Sequence, residues 1–374
     1  MSIQRAMKNI FFLIMLFILG ACSSQQPISR ADFSLAKEDQ SISDGIIYNL
    51  PSTIIKVEIT ATETVEKKGP YYRYSQRFLN LTDIITEDKT YWTINGAKIS
   101  TSSIPDPDRT FYITSEGTPS GAAVNLTPDG ILKGLNLSGI TKKTLEEEEV
   151  ELRKPESTDK EDMSFNDIPF TEEQLIKTSS AATAEEVAAE IYRLRDARRR
   201  LIESDMQKLP PDNGAYERLL KEIDRLESQY LSLFRGKRQT TSVTKTFTFL
   251  PDPGQPANQV LCRFSSQKGF TNTIDMSGTP VYIEVQADTK DKEPDLPQID
   301  QTQKEEKERS GLYYCRPAKA TVKIIDRTVL LNEKEILVGQ FGSMHQLPAS
   351  LLDNPDTAVK MDSKTGAILE IKTK

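Results

Sequence analysis

The side chains that catalysis and metal binding use most often are scarce in this sequence. It has one histidine, His345, and three cysteines in 374 residues. A single histidine excludes the multi-histidine zinc motifs, and the sequence contains neither a glycine-rich phosphate loop nor a nucleophile elbow. His345 has the chemistry of a general base, but a lone histidine in a strand-to-loop segment is more often structural. We therefore expect no catalytic residue, no metal site and no cofactor.

Carboxylates provide the one enzymatic alternative. Two carboxylates that face each other across a cleft hydrolyse glycosidic bonds, and the 55 Asp and Glu residues offer too many pairs to indicate which two would act. Trp92, beside Tyr91, is compatible with a platform for a sugar ring, although a core position is the more common use of such aromatics. A periplasmic glycan or peptidoglycan hydrolase thus stays the alternative to a non-enzymatic protein.

Cys262 and Cys315 lie in segments where apolar residues alternate with polar ones. Alternation of this kind places both side chains on the inner face of predicted strands. An oxidising compartment permits a disulfide between them. Two free, buried thiols that behave as small hydrophobic side chains are the alternative, and the sequence leaves both open.

The third cysteine, Cys22, ends a predicted signal peptide, residues 1–21. Arg5 and Lys8 precede an apolar run at 10–19, which is shorter than the about 20 residues that a membrane-spanning helix needs. The run closes with Leu19-Gly20-Ala21-Cys22, which is similar to the bacterial lipobox, where the cysteine thiol receives diacylglycerol. We therefore expect lipidation of Cys22 and a lipid anchor in a membrane. An ordinary cleaved signal followed by a chance cysteine is the alternative.

Residues 22–44 are polar and are typical of a flexible tether. No Asp follows Cys22, as it would in an inner-membrane retention signal, and no acidic cluster follows it, as it would in a surface-export signal. These absences favour the outer membrane, with the chain facing the periplasm. The formal net charge of −7 at pH 7 becomes more negative when the basic signal peptide is removed. A charge of this sign argues against nucleic-acid binding.

Residues 45–145 are predicted to form an N-terminal β-rich domain. Ile55, Val57 and Ile59 alternate with polar residues, which is typical of a strand with one buried face. The breaker cluster Pro105-Asp106-Pro107-Asp108 predicts a gap between two strands of this domain.

Residues 237–374 return to the same alternation and predict a C-terminal β-rich domain. The charged residues 146–182 are predicted to form a linker. Within the C-terminal region, residues 311–318 repeat a pattern of residues 45–52: Gly, apolar, any, Tyr, any, any, Pro, small. Duplication of a β-domain would explain this repeat, but one short match does not establish it.

Residues 183–236 carry the clearest helical signal. Thr183 and Glu186 match a capping box, apolar residues then recur three and four positions apart, and Gly236 is a natural C-terminal cap. A Pro- and Gly-containing break at 209–214 divides the segment into two helices of an antiparallel hairpin. We therefore predict the α+β class, mainly β, with two β-rich, sandwich-like regions and an inserted long antiparallel helical hairpin.

The first helix of this hairpin concentrates positive charge. Five arginines lie within a short stretch: Arg193, Arg195, Arg198, Arg199 and Arg200. One interpretation is a docking patch for an anionic partner, such as phosphate, lipid A or an anionic lipid headgroup. The other is a solvated helix face on which the arginines pair with nearby acids.

Several motifs together resemble those of one family. They are the lipobox, Gly45-Ile46-Ile47-Tyr48-Asn49-Leu50-Pro51, Lys68-Gly69-Pro70-Tyr71, Glu190-Ile191-Tyr192-Arg193-Leu194-Arg195, Leu312-Tyr313-Tyr314-Cys315-Arg316-Pro317-Ala318 and Gln340-Phe341-Gly342. From Gly45 onward the chain resembles an uncharacterised family of Bacteroidota envelope lipoproteins, catalogued as domain of unknown function 4831. The resemblance implies a bacterial source and an envelope location, and it carries over no catalytic residue.

A further short motif, Asp356-Thr357-Ala358, resembles the O-glycosylation sequon of Bacteroidota secreted proteins and makes Thr357 a candidate for modification. Taken together, these observations predict a membrane-anchored lipoprotein that acts as a non-enzymatic binding or assembly module. Its expected partners are the membrane, through the lipid anchor, and an envelope protein or a glycan.

Overall fold

A computed structural model of the chain describes residues 33–35, 45–114, 123–137, 163–203, 213–255, 258–288, 311–348 and 357–373. The strands are β1 Phe33–Leu35, β2 Gly45–Lys67, β3 Lys89–Thr114, β4 Val124–Leu126, β5 Leu132–Leu135, β6 Lys237–Phe249, β7 Asn258–Ser265, β8 Gly269–Thr271, β9 Thr279–Ala287, β10 Gly311–Asp326, β11 Val329–Pro348, β12 Ala358–Met361 and β13 Ile368–Lys372. The helices are a 3-10 turn at Tyr72–Tyr74, α1 Ser75–Leu79, α2 Glu172–Leu175, α3 Ser180–Glu203 and α4 Asn213–Arg235.

The strands form three antiparallel sheets. The first has the order β1-β3-β2-β6, the second β11-β10-β9-β7-β8, and the third β13-β12-β5-β4. Strands therefore dominate the described chain, and the helices form a smaller part beside them. This arrangement confirms the predicted fold class.

The first and second sheets pack face to face and enclose the larger apolar core. Strand β2 contributes alternate residues to it, as their spacing predicts, because successive side chains of a strand point to opposite faces. The buried residues shared by the two sheets include Ile55, Val57, Ile59, Ile99, Val281, Ile283, Val322, Ile324 and Val338. Two antiparallel sheets that bury one face each in this way form a sandwich.

A second core lies where the third sheet packs against the start of β2, the end of β3 and the start of β10. Its buried residues include Leu132, Leu312 and Val359. Phe111 stacks between two tyrosine rings, with ring centroids 5.5 Å from Tyr48 and 4.5 Å from Tyr313. Stacked aromatic pairs at such distances stabilise a core beyond the apolar area that they bury. This stack ties the first sheet to the second at the end where the third sheet covers both.

The two β-rich regions of the sequence are not separate domains in series. Strand β6, from the second region, pairs with β2 along its whole length, from Ile55↔Phe249 to Lys67↔Lys237. Strand β12 likewise pairs with β5, with Val359 opposite Leu135. Two of the three sheets thus contain strands from both regions. Residue alternation identifies the buried face of a strand but not its neighbouring strand. The sequence therefore predicted two separate domains, whereas the strands of both regions share sheets.

The repeat between residues 45–52 and 311–318 has a structural counterpart. The backbone N–H of Asn49 donates to the Gly130 carbonyl oxygen at 3.0 Å, and the N–H of Cys315, at the matching position of the repeat, donates to the Gly366 carbonyl oxygen at 2.8 Å. Both glycines have positive φ, 83° and 74°. The orders β2-β3-β4-β5 and β10-β11-β12-β13 also match, and their short strands pair in the third sheet. These correspondences support the duplication.

Strand β3 is continuous through residues 105–108, but the predicted gap is present as an interruption of its pairing with β2, because Pro51↔Pro105 is followed by Asn49↔Thr110 and residues 106–109 have no opposite residue on β2. Pro105 lies opposite Pro51 on β2, next to a register shift. Neither proline has an N–H to donate, so their pairing leaves no backbone donor unsatisfied at this point. Asp106 is buried and accepts a hydrogen bond from the Ser52 hydroxyl at 2.8 Å.

The helices form a third packed unit. As predicted, α3 and α4 make an antiparallel hairpin, and Gly236 caps its second helix with a φ of 92°. The first helix begins earlier than predicted, because the Ser179 hydroxyl accepts from the Ala182 N–H at 3.2 Å. The prediction of a capping box at Thr183 is therefore wrong.

A capping box does occur one helix earlier, within the segment that the sequence predicted to be a linker. Thr171 and Gln174 bond reciprocally at the start of α2, at 2.9 Å and 3.4 Å. Ile168 of the same segment is buried against the hairpin. The described part of this segment, from residue 163, therefore packs against the hairpin instead of running free between domains.

Candidate binding surfaces

The base of the hairpin is fixed by a compact apolar core, whereas its far half is not. Val187 and Ile191 of α3 and Leu233 and Phe234 of α4 are buried with residues of α1 and of the segment before α2. These residues lie at the start of α3 and at the end of α4. The two helices thus leave the protein body side by side for about half of their length, and α3 as a whole is about 36 Å long at roughly 1.5 Å per residue.

Apolar side chains on this far half lie open to solvent. Ile202, at the end of α3, is 61% exposed, and Leu219, near the start of α4, is 47% exposed. The residues of the connection, 204–212, are not among those that the structure describes. An uncovered pair of large apolar side chains at the projecting end of a hairpin is a candidate contact for another protein.

The five arginines predicted as a patch all lie on α3 and all have acidic partners. Arg195 and Arg198 reach across to α4, where they bind Glu227 at 2.8 Å and Asp224 at 3.3 Å. The other three pair mainly within their own helix: Arg193 with Glu190, Arg199 with Asp196 and Glu203, and Arg200 with Asp196. The positive charge is therefore locally neutralised, which favours the solvated, ion-paired interpretation over a patch for an anionic partner.

A different surface lies on the outer face of the first sheet, where hydroxyl groups form ladders between strands. The Thr60 and Thr244 hydroxyls lie 2.9 Å apart, and those of Thr62 and Ser242 lie 3.2 Å apart. The Asn95 amide donates to the Thr62 hydroxyl at 2.8 Å. These bonds hold the polar side chains of β2, β3 and β6 in fixed positions on one surface.

A shallow concavity of about 370 Å³ opens in this face. It is lined by Glu58, Thr60, Asn95, Gly96, Ala97, Lys98 and Thr244. Glu58 and Lys98 lie opposite each other on neighbouring strands, yet neither forms an ion pair within 4 Å among the described residues. The concavity thus presents an acceptor carboxylate, a donor ammonium group and hydroxyls beside one another.

Gly96 lines this concavity, and neither its backbone conformation nor a close neighbour requires a glycine there. Its φ does not lie in the left-handed region, and a Cβ added to it would meet no atom within 4 Å. A bulge precedes it, since the register with β2 shifts between Thr60↔Gly96 and Ala61↔Ile94 and leaves Asn95 without an opposite residue. Glycine and a bulge inside a strand often mark a place that something approaches closely.

Sequence reasoning missed this site. Asn-Gly is usually interpreted as a hairpin turn, but here it lies within a long strand. The available signal was Gly96 itself, because an isolated glycine inside an alternating pattern can indicate a bulge.

The hydrolase alternative needs two free carboxylates that face each other. The concavity at Gly96 has one carboxylate, that of Glu58. A second concavity, of about 230 Å³ beside α4, has two, Asp224 and Glu227, but both bind arginines of α3. His345 stacks on Tyr314 at 5.7 Å and shares a 2.8 Å hydrogen bond with the Ser343 hydroxyl. Among the described residues no cluster of side chains is suited to hold a metal ion.

Cys262 and Cys315 are free and buried, so the disulfide that the sequence left open is not formed. Cys262 lies in line, across β9, with Asp326 at the far end of β10. Cys315 is near the other end of β10, roughly 36 Å from Asp326 at about 3.3 Å per residue. A disulfide requires Cα atoms within about 7 Å. Burial raises the pKa of the Cys262 thiol to about 12.

Two predicted modification sites have different outcomes. Cys22, the predicted lipidation site, lies outside the described residues, so its modification stays a prediction. Thr357 is described and is only 2% exposed, and its hydroxyl is buried without a hydrogen-bond partner among the described residues. Its burial counts against glycan attachment to the folded chain.

Comparison with known proteins supports a family assignment. A family model with the description Domain of unknown function (DUF4831) matches residues 44–369. The searches of curated proteins and of solved structures returned no match. Among the described helices, none combines the length and the apolar character that crossing a membrane requires.

Proposed function

The chain belongs to the family described as a domain of unknown function (DUF4831), and from that premise we propose that it is an envelope lipoprotein that acts as a non-enzymatic assembly module. In this proposal Cys22 carries the lipid anchor and the helical hairpin contacts a partner protein of the envelope. The duplicated β-body positions the hairpin and takes no part in chemistry. The observation that carries the proposal is the contrast between the packed base of the hairpin and its uncovered far half.

The packed base gives the hairpin a defined direction. The Tyr71 N–H donates to the Leu233 carbonyl oxygen at 2.9 Å, and the Ser75 hydroxyl donates to the Phe234 carbonyl oxygen at the same distance. These bonds satisfy carbonyl groups at the end of α4 that have no partner within the helix. Because the base is held by buried contacts and by these bonds, a load applied at the far end would be transmitted to the β-body.

The uncovered far half supplies a surface that another protein can bury. Ion pairs such as Arg195–Glu227 fix the register of the two helices there, but surface pairs of this kind contribute little stability. Ile202 and Leu219 are largely exposed, so their apolar side chains stabilise a complex when a partner buries them, as the apolar face of an amphipathic helix does in a groove. A protein partner fits these side chains better than a glycan does, because large aliphatic groups gain most from burial against apolar atoms.

Co-purification tests the proposal. We expect the tagged lipoprotein, isolated from detergent-solubilised membranes, to retain a stoichiometric partner that a double variant, Ile202→Glu with Leu219→Glu, loses. A matched control, Ile274→Glu with Met276→Glu, changes two side chains that are 83% and 78% exposed in a loop of the β-body, and it should retain the partner. Equal recovery with both double variants, or no partner with the unmodified chain, would contradict the proposal.

The anchor is tested separately. Replacing Cys22 with Ser should release the chain from the membrane fraction while leaving its folding unchanged, because a lipid anchor contributes to membrane binding and not to the core. Retention of the Cys22→Ser variant in the membrane fraction after a high-salt wash would contradict the lipid anchor without bearing on the hairpin.

A further inference from the structure

The concavity at Gly96 has the features of a ligand site that the hairpin does not explain. It lies on the outer face of the first sheet, and its lining residues come from β2, β3 and β6. Outer faces of antiparallel sheets are commonly polar, so polar side chains alone would carry no inference. The inference depends on three further observations. Gly96 has no structural explanation, a bulge lies at Asn95, and Glu58 and Lys98 form no ion pair among the described residues.

Gly96 weakens strand β3, and no structural requirement for a glycine compensates for this cost. Glycine inside a strand is unfavourable because it loses more conformational freedom on folding and offers no side chain to pack. At Gly96 neither a positive φ nor a neighbouring backbone demands it. By contrast, a Cβ at Gly342 would lie 1.9 Å from the Arg316 carbonyl oxygen, so that glycine has a packing reason. What the missing side chain at Gly96 does provide is open space above the sheet.

The charges around this space select a class of ligand. Glu58 accepts hydrogen bonds and Lys98 donates them, and together they carry no net charge. Because Glu58 and Lys98 lie opposite each other, a charged ligand of either sign is attracted by one and repelled by the other and gains no net attraction from the pair. A neutral ligand that both donates and accepts can satisfy the two groups at once, and vicinal hydroxyls of a sugar ring have this character.

The hydroxyls at the edge of the space are held in place before a ligand arrives. The mutual bond of Thr60 and Thr244 uses part of the capacity of each hydroxyl, and each retains a lone pair for a further partner. Side chains that are already ordered lose less entropy on binding. The volume of about 370 Å³ lies at the lower end of the about 300–1,000 Å³ of ligand sites, which suits a single ring of a chain that continues along the open sheet.

We propose that this concavity binds one hydroxyl-rich ring of a neutral polysaccharide, with Glu58 and Lys98 bonded to ring hydroxyls and Gly96 beneath the ring. The site does not depend on the hairpin or on the proposed protein partner. Because it is shallow and open, we expect weak binding that a polymer strengthens by occupying several copies of the protein on one membrane.

The test uses neutral oligosaccharides as probes: maltohexaose, cellohexaose, mannohexaose and the tetramer of N-acetylglucosamine. Titration followed by the amide resonances of the ¹⁵N-labelled full mature chain, with Cys22→Ser to avoid detergent, should give saturable shifts for at least one probe. The shifts should centre on Thr60, Asn95, Gly96 and Thr244. Saturable binding of an anionic probe, polygalacturonate, with no response to the neutral probes would overturn the proposal, as would no saturable response at all.

Variants separate the site from the fold. Gly96→Val fills the space, and because valine favours strands its Tm should equal or exceed that of the unmodified chain while binding weakens at least tenfold. Glu58→Gln should also weaken binding, whereas Thr248→Val, on the same outer face but outside the concavity, should not. The Ile202→Glu and Leu219→Glu double variant should bind the probe normally. Unchanged affinity in both Gly96→Val and Glu58→Gln would contradict the proposal.

Discussion

Glu58 and Lys98 lie directly opposite each other on β2 and β3, yet no ion pair joins them within the part of the chain that the structure describes. Opposite charges in such positions ordinarily stabilise a sheet by pairing. On the same strand, Glu66 has only 4% of its side chain exposed and binds two cations, Lys89 at 3.1 Å and Arg238 at 2.7 Å. One strand thus carries a carboxylate that the fold uses and a carboxylate that it leaves free.

This difference predicts unequal effects of the same substitution. Glu58→Gln should change the free energy of unfolding by less than about 0.5 kcal/mol, as is usual for surface positions. Glu66→Gln should lower it by about 1–3 kcal/mol, because Lys89 and Arg238 would lose their shared negative charge and one of the two acceptor oxygens would become an NH2 donor. Urea denaturation of the two variants measures both changes. Equal losses would show that Glu58 is structural and would weaken the ligand site.

The pH dependence of stability should involve Glu66. Burial favours the neutral acid there, but hydrogen bonds from Lys89 and Arg238 outweigh it and lower the pKa of Glu66 below its usual value. A carboxyl whose pKa is lower in the folded state stabilises the fold above its unfolded pKa, near 4.3, and loses that contribution as the pH falls toward the folded pKa. The urea midpoint should therefore decline below about pH 4.5, with a shallower slope in Glu66→Gln. If the urea midpoints of the unmodified chain and of Glu66→Gln declined with the same slope below about pH 4.5, this role of Glu66 would be contradicted.

The two buried cysteines should behave as free thiols. In a Cys22→Ser background, Ellman's reagent at pH 8 should react with neither Cys262 nor Cys315 in the folded chain, because both are buried and burial raises the pKa of each thiol. In urea without a reductant, both should react. A denatured chain that reacts only after reduction would reveal a disulfide that the fold does not contain.

The turns at Gly130 and Gly366, which hold corresponding positions in the repeat, should be similarly sensitive. Gly130 and Gly366 both have positive φ, so replacing either with alanine should lower the free energy of unfolding by about 1 kcal/mol or more. At Gly254 the φ is not positive and an added Cβ would make only an ordinary contact, 3.5 Å from Asp252 Oδ1, so Gly254→Ala should be close to neutral. Urea denaturation compares the three. A neutral effect at only one of the first two positions would indicate that the halves have diverged in how they use the turn.

The helical hairpin and the buried faces of the strands were predictable from the sequence, because both depend on local periodicity. The seam of α4 and the alternation around Ile55 each follow from residues a few positions apart. What the sequence did not provide was the partner of each strand. The pairing of β6 with β2 joins residues such as Phe249 and Ile55 that are far apart in the chain, and alternation alone cannot choose among neighbours.

The sites were less predictable than the fold. The arginines of α3 were visible as a cluster, but their neutralisation depends on Asp224 and Glu227 of α4 and hence on the packing of two helices. The concavity at Gly96 depends on three strands in register, one of which comes from the other half of the chain. Its one local sign was Asn95-Gly96 within an alternating pattern, which fits a turn equally well.

The proposed role of the hairpin is tested most directly by crosslinking in intact cells. A photoreactive phenylalanine analogue at Leu219 should give, on irradiation, one discrete adduct of the lipoprotein with another envelope protein. The same analogue at Ile274, which is more exposed than Leu219 but lies on the β-body, should not give that adduct. Discrete crosslinking from position 219 alone is the result that the account predicts. No adduct from position 219, or the same adduct from both positions, would contradict it.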